Sequence, residues 1–403
     1  MKTEFKNGAI YKDDVVIANT SDISFENSSY ISAPDCENII ITPGFADLHV
    51  HFRQPGFEHK ETIRTGSLAA ASAGYTAVCT MPNLSPVPDS EEHIKKQLGI
   101  IESDAVIDVI PYSAITVGRL GKETVDFEKM SKYTKLFSDD GSGVQDDDVA
   151  LSAMQKCAAV GGIFAAHCEF EHLLNGGYIH DGQYAKANGH KGISSASEYE
   201  MIRRDLELVR KTNCRYHVCH ISAKESVELI RNAKKEGLPV TCETGPHYLV
   251  LCDEDMQEHG RFKMNPPLRS RDDRDALIEG IIDGTIDVIA TDHAPHTNEE
   301  KSKGLKGSAM GITGLETAFP ILYTYLVKEN VISLEHLIKL MAVNPKKILG
   351  IPLDNSNFSV IDLSCKYTVD PSKFISMGKM TPFEGYTVYG KNVLTVCGGK
   401  QVL

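Results

Sequence analysis

The spacing of hydrophobic and polar positions changes near residue 44 of the chain. Before it, the segments DVVIANT, DISFENS and NIIIT alternate short apolar runs with Asn, Ser and Asp, which predicts small antiparallel strands. After it, compact apolar runs are followed by amphipathic or Ala-rich stretches, a pattern that predicts strand-then-helix units. Eight predicted strands follow in order: FADLHVH, YTAVCTMPN, AVIDVIPYSAIT, YTKLFSDD, GIFAAHCE, CRYHVCH, LPVTCET and IDVIATDH.

Most of these strands precede a predicted helix, and the helices cover residues 60–72, 91–101, 148–159, 197–211, 223–235 and 272–282. Eight alternating units over about 250 residues are typical of an α/β fold of the (β/α)8 TIM-like barrel type. An open doubly wound sheet is the alternative, but no Gly-x-Gly-x-x-Gly motif follows any strand.

Beyond the eighth strand, the pattern predicts one more helix over 333–349, ended by Gly350, and then strands in SNFSVIDLS, GYTVYGK and NVLTVCGG. The two strand-rich ends would most simply pair with each other. We therefore predict a composite β domain built from 1–44 and 350–403, with a barrel of residues 45–349 inserted between its parts.

Composition narrows the classes of function. The chain has 403 residues and a formal net charge of −13, which disfavours nucleic acid or an anionic membrane as a partner. It has no apolar run of the roughly 18 residues that a membrane span needs and no signal-peptide pattern at its start, so a cytoplasmic location is predicted. Its ten cysteines include no Cys-x-x-Cys pair, which favours reduced, buried thiols over disulfides or a thiolate zinc site.

The first strand of the barrel ends in a His-x-His pair. Because alternate side chains of a strand share a face, His49 and His51 point the same way, as half of a metal site would require. For such a pair alone, two polar residues on a half-exposed strand are an equally good interpretation. Arg53 follows on the same parity, and a guanidinium beside a metal suggests a substrate with a carboxylate.

Further side chains able to bind a metal fall at the carboxyl ends of other predicted strands, which is where barrel enzymes build their sites. These are Asp139 and Asp140 after the fourth strand, His167 after the fifth, His220 after the sixth and Asp292 after the eighth. Any one of them could be structural, but a shared position at five strand ends favours a metal centre. Imidazoles and carboxylates without thiolates suit Zn²⁺, with Mn²⁺ or Co²⁺ as substitutes, and are numerous enough for two ions sharing a bridge.

Ten motifs in order make the resemblance specific: DLHVHFRQPG, TMPNLSPVPD, LFSDDG, AAHCE, CHIS, MNPPLR, ATDHAPH, GITGLET, NPKKILG and TPFEGY. Together they span nearly the whole chain, which resembles the class I dihydroorotases among the metal-dependent cyclic amidohydrolases. The resemblance implies a barrel with a composite β domain, a zinc centre, and reversible closure of N-carbamoyl-L-aspartate to L-dihydroorotate in pyrimidine synthesis.

The resemblance also implies roles for the metal-binding side chains. One zinc ion would be bound by His49, His51 and Asp292, a second by His167 and His220, and Asp140 would bridge them. We favour two ions over one. A carbamylated Lys135 on the fourth strand is the alternative bridge, because other amidohydrolases use such a lysine. Asp292 would in addition carry the proton between water and the departing ring nitrogen.

The substrate contacts that the resemblance implies are His51, Phe52, Arg53, Asn83, Asn265, His296, Met310 and Gly311. Arg53 and Asn83 would hold the α-carboxylate, and Met310 with Gly311 would supply a backbone contact to the ring. The family more often has Phe before that glycine, which leaves the packing of the Met310 side chain open. Both asparagines lie close to prolines and could instead cap turns, and His293 is interpreted as a supporting or packing residue.

Several alternatives stay open. The Gly- and Lys-rich segment 297–307 is either a mobile cover over the site or a solvated loop. A hydantoinase, dihydropyrimidinase or allantoinase would share the barrel and the metals, but Arg53 and the Asp-Asp-Gly motif argue against these activities. A non-catalytic scaffold relative is the alternative from another class. A homodimer and an aspartate transcarbamoylase partner are further hypotheses.

Overall fold

The computed structural model of the protein describes residues 2–13, 15–25, 29–33 and 36–403. The N-terminal strands are β1 (Thr3–Lys6), β2 (Ala9–Lys12), β3 (Val15–Asn19), β4 (Ile31–Ala33) and β5 (Cys36–Pro43). The first three form an antiparallel sheet in chain order. Of the strand predicted over 22–28, residues 23–25 have no regular structure, and residues 26–28 lie outside the described residues.

All eight predicted strands of the central region contain a strand in the structure. In chain order the strands here are β6 (Phe45–Val50), β7 (Tyr75–Thr80), β8 (Asp108–Pro111), β9 (Leu136–Ser138), β10 (Ile163–Ala166), β11 (Ile179–His180), β12 (Gly192–Ile193), β13 (Arg215–Val218), β14 (Val240–Thr244) and β15 (Val288–Ile289). β11 and β12 pair only with each other, within the Gly-rich insertion after β10. Every residue of β6 and β7 is buried, as expected for parallel strands covered on both faces.

The eight strands pair in parallel as two sheets, β6-β7-β8 and β9-β10-β13-β14-β15. Isolated parallel bridges join these sheets at both ends: Ser113, after β8, pairs with Phe137, and Val50 pairs with His293, after β15. The His51 amide also donates a hydrogen bond to the His293 carbonyl at 2.8 Å. The carboxyl ends of the first and last strands therefore lie side by side.

Helices separate most of the strands. They are α1 (Ile63–Ser72), α2 (Glu91–Asp104), α3 (Phe127–Met130), α4 (Asp147–Ala159), α5 (Gln183–Asn188), α6 (Ala196–Thr212), α7 (Lys224–Lys235), α8 (Pro246–Val250), α9 (Arg271–Ile282), α10 (Asn298–Lys301), α11 (Gly304–Gly307), α12 (Ala318–Leu322), α13 (Leu334–Ile338) and α14 (Asn344–Leu349). A π-helical turn, Lys339–Val343, joins α13 to α14, so the helix predicted over 333–349 is present with one irregular turn. Another π-helical turn, Tyr323–Val327, extends α12, which was not predicted. Among the described residues, no helix is both long and apolar enough to span a lipid bilayer.

The C-terminal strands are β16 (Phe358–Thr368), β17 (Thr387–Cys397) and β18 (Lys400–Gln401). They join β5 and β4 in one antiparallel sheet of order β18-β17-β16-β5-β4, so strands from the two ends of the chain pair as predicted. The strands predicted separately in GYTVYGK and NVLTVCGG form the single strand β17. At its centre Gly390, at φ +85°, lies against Phe319 and leaves no room for a Cβ atom.

Candidate metal centre

The six predicted metal ligands lie together at the carboxyl ends of the parallel strands. His49 is the last residue but one of β6 and His51 follows the strand, Asp140 follows β9, His167 follows β10, His220 follows β13, and Asp292 follows β15. All six side chains are buried. The backbone turns sharply at two of them, since His220 has φ +31° and Asp292 has φ +46°.

Asp140 is the centre of this cluster, because all four imidazoles face its carboxylate. Its Oδ1 atom lies 3.3 Å from His49 Nε2, 3.6 Å from His167 Nδ1 and 3.6 Å from His220 Nε2. Its Oδ2 atom lies 3.5 Å from His51 Nε2. Asp292 lies beside His49 and His51. Its Oδ1 atom is 3.1 Å from His51 Nε2 and 3.6 Å from His49 Nε2.

These side chains fit a divalent cation. Two overlapping groups could each hold a metal ion, His49 with His51 and Asp140, and Asp140 with His167 and His220. His49 Nε2 and Asp140 Oδ1 are buried and have no hydrogen-bond partner in the part of the chain that the structure describes, which is costly unless a further group binds them. His167 Nδ1 and His220 Nε2 are 2.9 Å apart, and a cation would satisfy both lone pairs. Imidazole nitrogens and carboxylate oxygens are ligands that zinc accepts.

The charges of the cluster support each other electrostatically. Burial by itself raises the pKa of Asp140, but the surrounding histidines, His49 first, hold it well below its usual range. Burial also opposes the imidazolium form of His167, yet the nearby Asp140 carboxylate raises the pKa of His167 above its usual value. Asp292 behaves like Asp140, and the adjacent His51 lowers the pKa of Asp292 to about 2. The carboxylates are therefore ionised at neutral pH and attract positive charge.

Buried acids that the sequence analysis missed hold the ligands in place. Glu243 in β14 accepts from His49 Nδ1 at 2.8 Å and lies 3.1 Å from His217 Nε2, which leaves the lone pair of His49 Nε2 directed at Asp140. Asp47 accepts from the amides of His49 at 2.9 Å and Thr291 at 3.1 Å, and so ties together the ends of β6 and β15. A carboxylate inside an apolar strand, as in VTCET, was the available signal.

Asp139 and Lys135, the alternatives at the fourth strand, do not face the cluster. Asp139 accepts from the amides of Ile115 at 2.8 Å and Thr116 at 3.1 Å, which is a structural role. Lys135 donates to the Val160 carbonyl at 2.9 Å, in an exposed position. A carbamylated Lys135 is therefore not placed to join the histidines.

A pocket of about 220 Å³ opens beside the cluster. Its lining comprises His51, Arg53, Asn83, Asp140, Gly141, His167, His220, Asn265, Asp292, Ala294, His296, Met310 and Gly311. Of the predicted substrate contacts, only Phe52 is absent from this lining: it is buried against Gly66, with its ring 6.4 Å from that of His293. A larger cavity of about 790 Å³ lies between β16, β17 and α12 and contains none of the ligand candidates.

Arg53 is a buried cation in the wall of this pocket. Its Nε atom donates to the Pro295 carbonyl at 3.3 Å, and Nη2 lies 3.4 Å from His296 Nε2. Among the described residues it has no salt bridge to a carboxylate. Burial lowers its pKa to about 10, so the guanidinium stays charged at neutral pH and can bind an anionic ligand.

Asn83 and the Met310–Gly311 step are already engaged within the protein. Asn83 Oδ1 accepts from His51 Nδ1 at 2.8 Å, so the amide also orients this imidazole. The Met310 carbonyl lies 2.8 Å from His296 Nε2, and the Gly311 amide donates to the Lys263 carbonyl at 3.1 Å. The Gly311 N–H is therefore not free to contact a ligand. The predicted backbone contact of Met310 with Gly311 cannot be made by this N–H.

The segment 297–307 is packed in the structure. It forms α10 and α11, and Leu305 is fully buried. Lys301, also fully buried, donates to the carbonyls of Lys263 at 2.9 Å and Ala309 at 2.8 Å. These contacts fasten the segment to the wall that carries Met310.

The comparisons with known proteins agree with this geometry. A sequence model described as "Dihydro-orotase-like" matches residues 38–226. The chain is 45% identical over 99% of its length to a dihydroorotase of Bacillus cytotoxicus, of which it covers 97%. It is 49% identical over 98% of its length to a dihydroorotase of Fusobacterium nucleatum, of which it covers 95%.

Solved structures of related enzymes have the same fold. An L-hydantoinase (dihydropyrimidinase) from Arthrobacter aurescens matches 98% of this chain and 91% of its own, with a TM-score of 0.80 and 26% identity. A dihydropyrimidinase from Brevibacillus agri matches 98% of this chain and 91% of its own, with a TM-score of 0.79, and at 20% identity it shows the fold alone. The near-complete coverage at almost half identity shows that the chain belongs to the dihydroorotase family.

Proposed function

We propose that the protein is a dihydroorotase, which reversibly closes N-carbamoyl-L-aspartate to L-dihydroorotate in de novo pyrimidine (UMP) synthesis. The observation that carries this proposal is the placement of Arg53, a buried guanidinium without a salt bridge to any carboxylate of the described residues, in the wall of the pocket that Asp140 and Asp292 line. Such a site suits a small cyclic amide that also bears a carboxylate. The names of the relatives at 45% and 49% identity support the same activity.

The proposed metal centre contains two zinc ions. His49, His51 and Asp292 would hold one, His167 and His220 the other, and Asp140 would bridge them. The unpartnered lone pairs of His49 Nε2 and Asp140 Oδ1 support this assignment. Zinc in this position would lower the pKa of a coordinated water and polarise the amide carbonyl.

In the ring-opening direction, a C–O bond to the water oxygen forms as the ring C–N bond breaks. Asp292 accepts a proton from the water and delivers it to the leaving nitrogen; in ring closure the same proton moves back. Arg53, with Asn83 beside it, orients the α-carboxylate of the substrate. His296 stays neutral, because burial, followed by the charge of Arg53, lowers its pKa to about 3.

We also propose that the eight parallel strands form one closed (β/α)8 barrel of residues 45–349, with 1–44 and 350–403 as a composite β domain. The two bridges at the sheet ends and the mixed N- and C-terminal sheet support this division. A cytoplasmic location, a homodimer and association with an aspartate transcarbamoylase stay predictions. Sedimentation of the chain alone and mixed with a transcarbamoylase tests the last two.

Purified protein loaded with zinc tests the activity against L-dihydroorotate, hydantoin and allantoin, with metal content measured on the same sample. A dihydroorotase has a kcat/KM for dihydroorotate at least 100-fold above the others. The fold similarity to an L-hydantoinase at 26% identity makes hydantoin the serious competitor. Faster turnover of hydantoin would overturn the proposal, and no turnover with a full metal complement would favour a scaffold.

A further inference from the structure

Glu169 is a half-buried acid beside the metal cluster that the proposed mechanism does not use. Its Oε2 atom accepts a hydrogen bond from Asn265 Nδ2 at 3.1 Å and lies 3.6 Å from His167 Nε2. The Glu169 side chain is 16% exposed, so these two neighbours provide much of its solvation.

The two ends of the Asn265 side-chain amide differ in their hydrogen bonding. Its amide nitrogen donates to Glu169, whereas its Oδ1 atom is buried and has no hydrogen-bond partner among the described residues. Asn265 also lines the pocket beside the cluster. Since a carboxylate accepts only, Glu169 keeps the amide nitrogen of Asn265 on its own side, and Oδ1 remains an unpaired acceptor. The chemistry that fits an isolated acceptor there is an N–H group.

The same carboxylate also decides which nitrogen of His167 carries the proton. Asn265 Nδ2 lies 3.5 Å from His167 Nε2 and could donate to it, which would leave the proton on Nδ1, the atom that faces Asp140. Glu169 takes up the Asn265 donor and favours a proton on His167 Nε2 instead. Nδ1 is then left with a free lone pair directed into the cluster.

We propose that Glu169 is a positioning residue that acts in two directions, fixing Asn265 as the acceptor for a ureide N–H of the substrate and His167 as an Nδ1 metal ligand. The proposal deepens the dihydroorotase assignment and rests on it for the identity of the substrate. Hydantoin carries the same kind of ureide N–H without the carboxylate, so the role of Asn265 can be tested with either ring.

A double-mutant cycle of Glu169→Leu and Asn265→Ala tests the first direction. Glu169→Leu should raise KM for L-dihydroorotate about 10-fold, as expected for a hydrogen bond in a desolvated site, with a smaller change in kcat. In the Asn265→Ala background the same substitution should change KM less than twofold. Equal effects in both backgrounds would show that Glu169 does not act through Asn265.

Glu169→Gln is the conservative variant, because its amide oxygen can still accept from Asn265, and it should recover most of the KM effect. Glu171→Gln, an exposed acid two residues along the chain, is the matched control and should behave as wild type. Failure of the Gln variant to recover KM would contradict the acceptor role.

Zinc content tests the second direction without any measurement of activity. Glu169→Leu should bind the His167-dependent ion about 10-fold more weakly, a size typical of lost support for a metal ligand, while Asn265→Ala alone should not. Unchanged zinc affinity in Glu169→Leu would overturn the His167 role. If wild type turns over hydantoin and not dihydroorotate, the activity proposal fails, and the same cycle run with hydantoin still decides the role of Glu169.

Discussion

The two halves of the site are held by side chains of opposite type, acids in one half and bases in the other. Behind the histidine cluster, the buried acids Asp47 and Glu243 accept hydrogen bonds from ligand imidazoles and strand amides. In the pocket wall, the buried bases Arg53 and Lys301 donate to backbone carbonyls of loops. A metal cluster held in place by acids suits bound cations, and a pocket wall held in place by bases suits an anionic substrate. The residues behind each half therefore contribute to the sign of the charge that this half binds.

The largest expected effect comes from removing the charge of Asp292, which belongs to the metal cluster. Asp292→Asn should lower kcat by about 10³-fold or more, because an amide cannot accept and return the proton. The far-UV circular dichroism spectrum should not change. Asp272→Asn, at a largely exposed site on α9, is the control. Near-normal kcat in Asp292→Asn would remove this residue as the proton carrier.

Arg53→Ala removes the cation of the wall and should raise KM for dihydroorotate about 100-fold, the value of a charge-assisted hydrogen bond in a buried site. Turnover of hydantoin, which has no carboxylate, should be affected much less. Steady-state kinetics with both rings measure the difference. Arg203→Ala, an exposed site on α6, serves as the control. An unchanged KM for dihydroorotate would mean that Arg53 does not bind the carboxylate.

Glu243→Gln weakens the hydrogen bonds that hold the metal cluster in place, while every proposed metal ligand remains. The variant should bind zinc about 30-fold more weakly, because the amide cannot accept from both His49 and His217. Competition with a chelator, followed by metal analysis, measures this change. Glu236→Gln, exposed after α7, is the comparison protein. If Glu243→Gln retains zinc as wild type does, orientation of His49 does not depend on the carboxylate.

The smallest effect concerns stability and comes from Lys301. Burial lowers its pKa from 10.5 to about 7, so between these values the unfolded chain binds the extra proton. Stability therefore rises with pH across this window, whereas below pH 7 both states are protonated and the cost of burial is constant. The free energy of unfolding of wild type, minus that of Lys301→Met, should rise by about 2 to 4 kcal/mol from pH 7 to pH 10.

Urea denaturation of both proteins at several pH values measures this difference. Lys303→Met, in the same segment but exposed, is the matched control. A flat difference for Lys301→Met would mean that the buried ammonium group keeps an ordinary pKa. The protein would then bury the charge of Lys301 at no cost in the free energy of unfolding.

Much of the fold could be predicted because each parallel strand is a short apolar run with a polar residue at its end. The same simplicity explains the misses. Glu243 and Asp47 lie inside such runs, which is a sign of burial, but their hydrogen-bond partners come from other strands and cannot be identified from the local sequence. The helix α12 and its extension, AFPILYTYLV, are rich in aromatic and β-branched residues and resemble a strand. The segment is helical where it packs against β17 and α8, which local propensity does not show.

The candidate site was predictable to the extent that it depends on positions at strand ends. His49, Asp140 and His167 converge because parallel strands share one carboxyl edge. Details that depend on loop geometry were not predictable. The Gly311 amide bonds to the Lys263 carbonyl, nearly fifty residues away, and the Phe52 side chain packs under α1 because the backbone turns at Arg53, with φ +58°.

The pairing of β5 with β16 has a consequence for how the chain is made on the ribosome. One edge of β5 pairs with β4, but the other edge, over Ile39–Pro43, pairs with residues 358–362, more than 300 positions later. During synthesis at about 5–20 residues per second, that edge stays without its partner for many seconds. A nascent chain must therefore keep an apolar β5 from pairing with other nascent chains until its own last strands emerge.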